Sequence, residues 1–185
     1  MRGTWGTRPM KNGGILRKFI VISAILVAAI TCMAQSKRVE TSLAGVSLGA
    51  PMTEVRRILG VPTRVVDTPI QDVAWRAGER EYYFVRDKVV IKVHEGYYQK
   101  PRMQSEHSSG VLGISVQGNG PVDKSIRTGR GLSLGDSVEN VRRLYGRVPQ
   151  DKQHIQIYLT NGNILDIALD SNGMVSEIDL NLNQE

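Results

Sequence analysis

An internal duplication is the sequence feature that most constrains the fold. Residues 45–60 and 131–146 align without a gap at an offset of 86 residues, and eight of the sixteen aligned positions are identical. The identical pairs are Gly45/Gly131, Ser47/Ser133, Leu48/Leu134, Gly49/Gly135, Val55/Val141, Arg56/Arg142, Arg57/Arg143 and Gly60/Gly146. Self-similarity of this kind indicates that one structural unit occurs twice in the chain.

Each copy has the pattern of a short amphipathic helix of about ten residues. Apolar residues recur at spacings of three and four, which places them on one helix face. They are Met52, Val55, Ile58 and Leu59 in the first copy and Val138, Val141, Leu144 and Tyr145 in the second. Pro51 just inside the first helix and a capping box of Asp136 and Glu139 predict the helix starts. Gly60 and Gly146 predict the helix ends.

Strand patterns follow each helix. In the first copy, residues 72–77, 81–93 and 111–117 are rich in β-branched, aromatic or alternating apolar residues. Periodicity leaves open whether 82–93 is one strand or a hairpin that turns at 86–88, and we favour the hairpin. In the second copy, three alternating segments between 155 and 182, separated by turns at 161–162 and 171–173, predict a three-stranded meander.

These patterns together predict an α+β fold of two tandem repeats. Each repeat would be a short helix followed by an antiparallel β-meander, with the helices packed on one sheet face. The first repeat would span 35–117, a connector 118–130, and the second repeat 131–185. The segment 97–110 is polar and has no equivalent in the second copy, so we expect it to form an exposed loop.

Residues 1–34 have the pattern of a secretory signal peptide. Five basic residues and no acid accompany an apolar run at 19–30, which is shorter than the roughly twenty residues of a membrane-spanning helix. We expect cleavage after Ala34, and Met10 is an alternative start. Cys32, the single cysteine, lies where a lipoprotein leader places its lipidated residue. The residues before it depart from the usual lipoprotein pattern, so we favour removal of Cys32 with the leader over lipidation.

The positive charge of the chain comes largely from this leader. The formal charge is +6, but without the five leader residues 19 Lys+Arg stand against 18 Asp+Glu, a net charge of +1. So small a charge argues against a nucleic-acid partner and against direct binding to an anionic membrane. We expect an exported protein, in the periplasm, in the cell envelope or secreted, that meets a membrane only through its leader or a lipid anchor.

The repeated motif G-[VL]-S-L-G-x-x-x-x-x-V-R-R-[IL]-x-G resembles the modules of SmpA/OmlA (BamE-like) envelope lipoproteins. It is similar as well to the tandem modules of β-lactamase-inhibitor-like proteins. The resemblance covers both helical segments and the strands after them. It implies an exported, non-enzymatic module that binds other proteins or takes part in envelope assembly. It transfers no contact residue to this chain.

The residues that we predict to bind a protein lie in the segment 97–110. Tyr97, Tyr98, Lys100 and Arg102 combine aromatic and basic side chains, a composition that suits recognition because aromatic anchors carry binding energy and charges steer encounter. The partner would be an envelope or extracellular protein. Because the segment is absent from the second copy, the fold does not require it, and a simple spacer is the alternative interpretation.

The alternative function is a small secreted hydrolase or metal-dependent enzyme that uses His94 and His107. Two of the three histidines, which include His154, would then have to meet a carboxylate in one pocket. The chain contains no HExxH motif and no pair of cysteines. We therefore predict no catalytic residue, no metal site and no cofactor.

Overall fold

The computed structural model describes residues 39–70, 76–86, 88–99, 105–118, 123, 125–151 and 153–183. The predictions on the leader, including cleavage after Ala34 and lipidation of Cys32, lie outside the described residues. In the described part the helices are α1 (Met52–Leu59) and α2 (Val138–Tyr145). The strands are β1 (Ser42–Leu43), β2 (Val46–Ser47), β3 (Arg64–Ile70), β4 (Arg76–Arg86), β5 (Val89–Gln99), β6 (His107–Gly118), β7 (His154–Tyr158), β8 (Ile164–Leu169) and β9 (Val175–Asn181). Neither described helix is long and apolar enough to cross a membrane.

One antiparallel sheet of seven strands dominates the structure, in the order β3-β4-β5-β6-β9-β8-β7, and β1 pairs with β2 separately. The predicted fold class is therefore wrong, because the chain is mostly antiparallel β rather than two helix-plus-meander repeats. The physical reason is the pairing of β6 with β9, in which Ile114 lies opposite Leu180 and Val116 opposite Ile178. This pairing joins strands far apart in the sequence, and local periodicity does not encode it.

The first half of the chain departs furthest from the prediction. It contributes an edge strand, β3, which the sequence analysis missed. The favoured hairpin is confirmed, because β4 and β5 pair antiparallel from Arg86↔Val89 onwards. The exposed loop expected at 97–110 is wrong at both ends, since β5 continues to Gln99 and β6 begins at His107. Residues 100–104 between them lie outside the described residues.

The helix starts differ from the prediction by one residue. Pro51 is the residue before α1 rather than its first residue. Ser137, not Asp136, caps α2 and accepts a hydrogen bond from the backbone N–H of Asn140 at 3.4 Å. Asp136 instead accepts the N–H of Ser133 at 2.8 Å, which closes the turn before the helix. The predicted capping box is therefore wrong, although the Asp136 carboxylate does accept a hydrogen bond in the turn that precedes α2.

The helix ends are confirmed. Gly60 and Gly146 follow the two helices with φ of 87° and 80°, a conformation that glycine adopts without steric cost. Their N–H groups donate to Arg56 and Arg142 carbonyls at 2.9 and 2.8 Å. This arrangement stops each helix after two turns.

A single hydrophobic core joins the two halves. One face of the sheet, which we call the covered face, consists of cross-strand rows of buried apolar residues. One row is Tyr82, Val93, Ile114, Leu180, Leu165 and Ile157, and the next is Phe84, Ile91, Val116, Ile178, Ile167 and Ile155. The stripes of α1 and α2 belong to the same core through Val55, Val141 and Tyr145. Because one core contains both helices, neither copy buries its apolar residues alone.

Glu40 ties the start of the described chain to the second half. Its buried carboxylate accepts hydrogen bonds from the N–H groups of Gly129 and Arg130 at 2.9 and 3.1 Å and from the Tyr145 hydroxyl at 2.9 Å. Its carbonyl oxygen accepts the side-chain amide of Asn163 at 2.9 Å. A buried carboxylate is tolerated here because both of its oxygens accept hydrogen bonds.

Candidate functional site: the open face of the sheet

The face of the sheet opposite the covered face, which we call the open face, carries the alternate residues of the same strands. One cross-strand row is Arg64, Tyr83, Lys92, Ser115, Asp179, Asp166 and Gln156, and the next is Val66, Glu81, His94, Gly113, Asn181, Ile164 and Tyr158. Apart from Ser115 and Gly113, these residues are half-buried or exposed. The open face is therefore a mostly polar, partly solvent-exposed surface that also carries apolar residues such as Val66 and Ile164.

A cluster of mixed charge occupies the β3–β5 part of the open face. The Tyr83 hydroxyl donates to Glu81 at 2.5 Å, and Lys92 and His94 lie 3.9 and 3.7 Å from the same carboxylate. The Arg64 guanidinium lies 5.3 Å from the centre of the Tyr83 ring. The hydrogen bond from Tyr83, helped by the charge of Lys92, lowers the pKa of Glu81. Mutual contacts thus hold these side chains in place before any partner arrives.

The β8–β9 part of the open face is acidic. Asp166 and Asp179 are cross-strand neighbours, and Glu177 lies two residues along β9. Burial, followed by the charge of Asp179, raises the pKa of Glu177. His154 Nε2 lies 3.7 Å from Asp166 Oδ1, a buried oxygen without a hydrogen-bond partner among the described residues. The open face therefore carries two electrostatically different regions.

A cleft of about 440 Å³ lies on the open face beside the mixed-charge cluster. Ile70, Tyr98 and Leu112 give it apolar walls, and Glu79 adds a carboxylate. Ile70 is 54% exposed. Gly96 forms part of the lining, and a Cβ there would lie 2.9 Å from Leu112 Cδ1, so glycine keeps this space open. We call this site the Tyr98 cleft.

The structure separates the two tyrosines that the sequence analysis had grouped, because consecutive strand residues point to opposite faces. Tyr98 lies on the open face and stacks on His107, with ring centroids 5.4 Å apart. Tyr97 lies on the covered face, is 3% exposed and donates its hydroxyl to Asp67 at 2.6 Å. Tyr97 is thus almost fully buried, although it contributes to the lining of the Tyr98 cleft. Lys100 and Arg102 lie outside the described residues.

Arg80 organises a charged network at the end of the covered face. It donates to both oxygens of Glu106, with the Oε2 contact at 2.9 Å, and lies 3.4 Å from Asp67. Its guanidinium lies 4.2 Å from the centre of the Tyr97 ring. The hydrogen bond to Glu106 raises the pKa of Arg80 despite the opposing effect of burial. These contacts fasten β3, β4 and β5 to the residue that precedes β6.

Glu95 forms a second polar contact on the same face. Its buried carboxylate accepts hydrogen bonds from the Tyr82 hydroxyl at 2.6 Å and from the Ser108 hydroxyl. Burial, followed by the hydrogen bond to Glu95, raises the pKa of Tyr82 to about 12. The sequence patterns did not indicate Glu95 or Arg80 as interacting residues. Both residues alternate in phase with the core residues Tyr82 and Val93, so they lie on the covered face. The register of the β4–β5 hairpin, in which Arg80 lies opposite Glu95, is the signal that could have identified them.

The histidines do not meet at one carboxylate among the described residues. His94 pairs with Glu81, whereas His154 pairs with Asp166. Their strands, β5 and β7, are four strand spacings apart, or about 19 Å. In the part of the chain that the structure describes, no three His, Cys, Asp or Glu side chains are placed to hold a metal ion. The geometry thus lends no support to the hydrolase or metal-enzyme alternative.

Comparisons with known proteins show no family for this chain. No family model matches it, and no curated protein matches it. Among solved structures, a "putative beta-lactamase inhibitor protein" from Streptococcus mutans matches with 11% sequence identity, covering 78% of this chain and 91% of that chain, at a TM-score of 0.26. A likeness at this TM-score carries no argument about fold or function. The resemblance to SmpA/OmlA modules has no counterpart among these matches.

Proposed function

We propose that this protein is an exported, non-enzymatic module that binds another protein through the open face, with the Tyr98 cleft as its centre. The observation that carries the proposal is the Tyr98 cleft itself, where exposed Ile70 and half-buried Tyr98 lie together in a concave part of the open face beside the mixed-charge cluster. An apolar and aromatic centre with a polar rim is the usual anatomy of a protein interface.

The surroundings of the Tyr98 cleft favour a protein over a small ligand. The cleft is open to solvent and lies beside the mixed-charge cluster, whereas pockets for small molecules enclose most of their ligand. Tyr98 has few rotatable bonds and is stacked on His107, so little conformational entropy is lost when a partner covers it. Glu81 and Lys92 next to the cleft supply both signs of charge, which favours specificity over affinity.

The test is to capture proteins from an envelope extract, purify the retained one and measure its affinity for matched variants. Tyr98→Ala and Ile70→Ser should each weaken binding at least tenfold, or about 1.4 kcal/mol. Val61→Ser is the control, because Val61 is an apolar residue that is 87% exposed and follows α1 rather than belonging to the sheet. It should leave the affinity unchanged, and all three variants should keep the melting temperature within a few degrees.

Equal weakening by the Val61 and Tyr98 substitutions would show that the contact is not centred on the Tyr98 cleft. A purified protein that catalyses a reaction lost on His94→Ala would overturn the non-enzymatic part of the proposal.

Export is supported by the leader pattern of residues 1–34 alone. Cell fractionation and N-terminal sequencing test it: a mature chain that begins at Gln35 is expected, and a lipid mass on Cys32 would indicate the tethered alternative. A full-length chain that stays in the cytoplasm would contradict export.

A further inference from the structure

The two edge strands of the sheet differ in how they are protected. β3 carries Pro69, which has no N–H to donate, together with Arg64 and the ion-paired Asp67. Proline and charged residues on an edge discourage pairing with another chain. β7, with the sequence HIQIY, contains neither proline nor a carboxylate. The β7 edge is thus the unprotected edge of the sheet.

The backbone hydrogen bonds show which groups of β7 point outwards. Leu169 N–H donates to Gln153 O at 2.7 Å, and Leu159 N–H donates to Asn163 O at 2.9 Å. Because bonding alternates along an antiparallel ladder, the odd-numbered residues of β7 bond β8 and the even-numbered residues face away from it. Each even-numbered residue therefore presents its N–H and its C=O at the edge.

The open stretch of this edge is short and closed at both ends. His154 exchanges backbone hydrogen bonds with Asp151 at 2.8 and 2.9 Å, which closes one end. After Tyr158 the chain turns at residues 160–162, which closes the other. Gln156 and Tyr158 are left between these ends, and their outward backbone groups have no backbone partner among the described residues. The open stretch thus offers two N–H and two C=O groups.

Space for another strand exists beside these groups. A cleft of about 470 Å³ runs along the edge, and its lining includes Val148, Pro149, Gln156 and Tyr158. The Tyr158 residue is 68% exposed. A strand laid along the edge would therefore cover part of the Tyr158 side chain as well as bond the backbone.

An identical strand fits the open stretch in one antiparallel register. With a two-fold axis between Ile157 and its copy, Gln156 of each chain lies opposite Tyr158 of the other. Each of these two pairs exchanges two hydrogen bonds, four in all, so every open N–H and C=O group of both edges is satisfied. Asp151 and the turn at 160–162 stay outside the paired stretch. The open stretch is thus complementary to itself in length and in hydrogen bonding.

The side chains agree with the same register. Ile157 would face its copy on the covered face, and pairs of β-branched residues stabilise adjacent strands. On the open face Tyr158 would lie across from Gln156 of the other chain, whose methylene groups can cover the exposed ring. Neither pair places an ionised group against an apolar one.

The charges near the edge do not oppose this pairing. Asp166, which lies opposite Gln156 on β8, is within 3.7 Å of His154. In the joined sheet Asp166 and its copy would be three strand spacings, roughly 14 Å, apart, which exceeds the Debye length of about 8 Å at physiological ionic strength. Arg142 lies 3.9 Å from Glu139 of its own helix. Hydrogen-bond geometry, and not charge, therefore selects the occupant.

From these observations we propose that the β7 edge binds a second copy of this chain, so that the two seven-stranded sheets continue across a two-fold axis at Ile157. Opposite residues of a ladder point to the same face, so both open faces lie on one side of the joined sheet. The two Tyr98 clefts then lie nine strand spacings, roughly 43 Å, apart. A dimer would bind a partner with two sites by avidity. That consequence rests on the proposed function, whereas the pairing itself does not.

Sedimentation equilibrium of the purified protein over a wide range of concentration tests the pairing, and a reversible dimer is expected. Gln156→Pro removes an outward N–H that bonds nothing in β8, whereas Gln156→Ala keeps it. The proline variant should raise the dissociation constant of the dimer at least tenfold, and the alanine variant should change it little. Circular dichroism spectra that match the parent would show that both variants fold.

Disulfide cross-linking tests the register in a Cys32→Ser background, which removes the single native cysteine. Position 156 and position 158 of the other chain form a hydrogen-bonded pair with Cα atoms about 5.5 Å apart, within disulfide range. Position 156 and its own copy are offset by two residues and lie about 9 Å apart, out of range. A mixture of Gln156→Cys and Tyr158→Cys proteins should therefore cross-link severalfold faster than either alone. Val61→Cys, exposed and outside the sheet, measures random oxidation.

Three results would overturn the proposal: a protein that stays monomeric at every concentration, a dimer that a folded Gln156→Pro variant still forms, or a cysteine mixture that cross-links no faster than Val61→Cys. The first would leave the β7 edge to a strand of another protein. If Gln156→Pro fails to fold, the cysteine mixture decides. The affinity of a partner with one site for the Tyr98 cleft is measured separately, so failure of the pairing and failure of the proposed function are distinguishable.

Discussion

The two faces of the seven-stranded sheet come from the same strands and behave in opposite ways. On β5, Val93 belongs to the core while its neighbour Lys92 lies in the mixed-charge cluster. The alternation continues on β8, where Ile167 is buried and Asp166 belongs to the acidic region. The covered face is apolar except at the Arg80 and Glu95 end, whereas the open face is mostly polar, with apolar residues at the Tyr98 cleft and at the exposed pair Val85 and Val90.

The comparison shows which side chains contribute to the free energy of folding and which contribute to the free energy of binding. Side chains of the covered face lose all contact with water on folding, so their removal costs several kcal/mol of stability. Side chains of the open face are half-exposed in the free protein and contribute little until a partner covers them. A substitution should therefore affect stability or binding according to its face.

The largest expected effect lies in the helix that covers the sheet. Val141→Asp places a charge without a partner in the core and should cost of order 3 kcal/mol or more. Arg142→Ala changes the neighbouring side chain, which is partly exposed, and should cost less than about 1 kcal/mol. Urea unfolding measures both values. Equal losses would show that the α2 stripe does not face the core.

The next effect compares neighbours on one strand. Tyr97→Ala empties a buried site and removes the hydrogen bond to Asp67, so we expect a loss of about 3 kcal/mol in the free energy of unfolding. Tyr98→Ala should cost under about 1 kcal/mol, because the residue is partly exposed on the open face. Thermal unfolding checks the pair. A larger loss for Tyr98 than for Tyr97 would reverse the assignment of faces.

The smallest effect is the pH dependence that His94 adds to stability. Burial lowers the pKa of His94 below the usual value of about 6.5, although Glu81 opposes the shift. The unfolded chain therefore binds the His94 proton at a higher pH than the folded chain does. The free energy of unfolding should fall as the pH drops below about 7 and should level off once the pH is below the pKa of His94 in the folded protein. His94→Gln should flatten the urea-unfolding free energy between pH 7 and 5. An unchanged slope would show that burial of His94 is not the source of the pH dependence.

Local sequence patterns predicted those parts of the fold that depend on interactions between residues close together in the sequence. The helix stripes, Gly60 and Gly146 as helix ends, and the β4–β5 hairpin are all observed. The β6–β9 pairing could not be predicted in this way, because it depends on which strand edges meet after collapse. The edge strand β3 was missed since its residues are mostly exposed and its run of seven includes Pro69.

The candidate site was predictable only in part. Tyr98 was predicted as a site residue because its segment combines aromatic and basic side chains. Its position on the opposite face of the sheet from Tyr97 could not be predicted, because the segment was predicted to be a loop and not a strand. Ile70 and Gly96 carry no signal as single residues, and they line one cleft only because β3, β4 and β5 bring them together. Recognition surfaces on sheets are assembled from several strands, so their sequence pattern is spread over the chain.

The central claim is that the open face, and not the helix-covered side, contacts the partner. A photo-reactive benzoylphenylalanine in place of Tyr98 or Tyr83 on the open face, or of Arg57 on α1, whose side chain is 73% exposed, tests it directly. With the purified partner, we expect cross-links from positions 98 and 83 and none from position 57. Cross-linking from position 57, with none from the open face, would contradict the account.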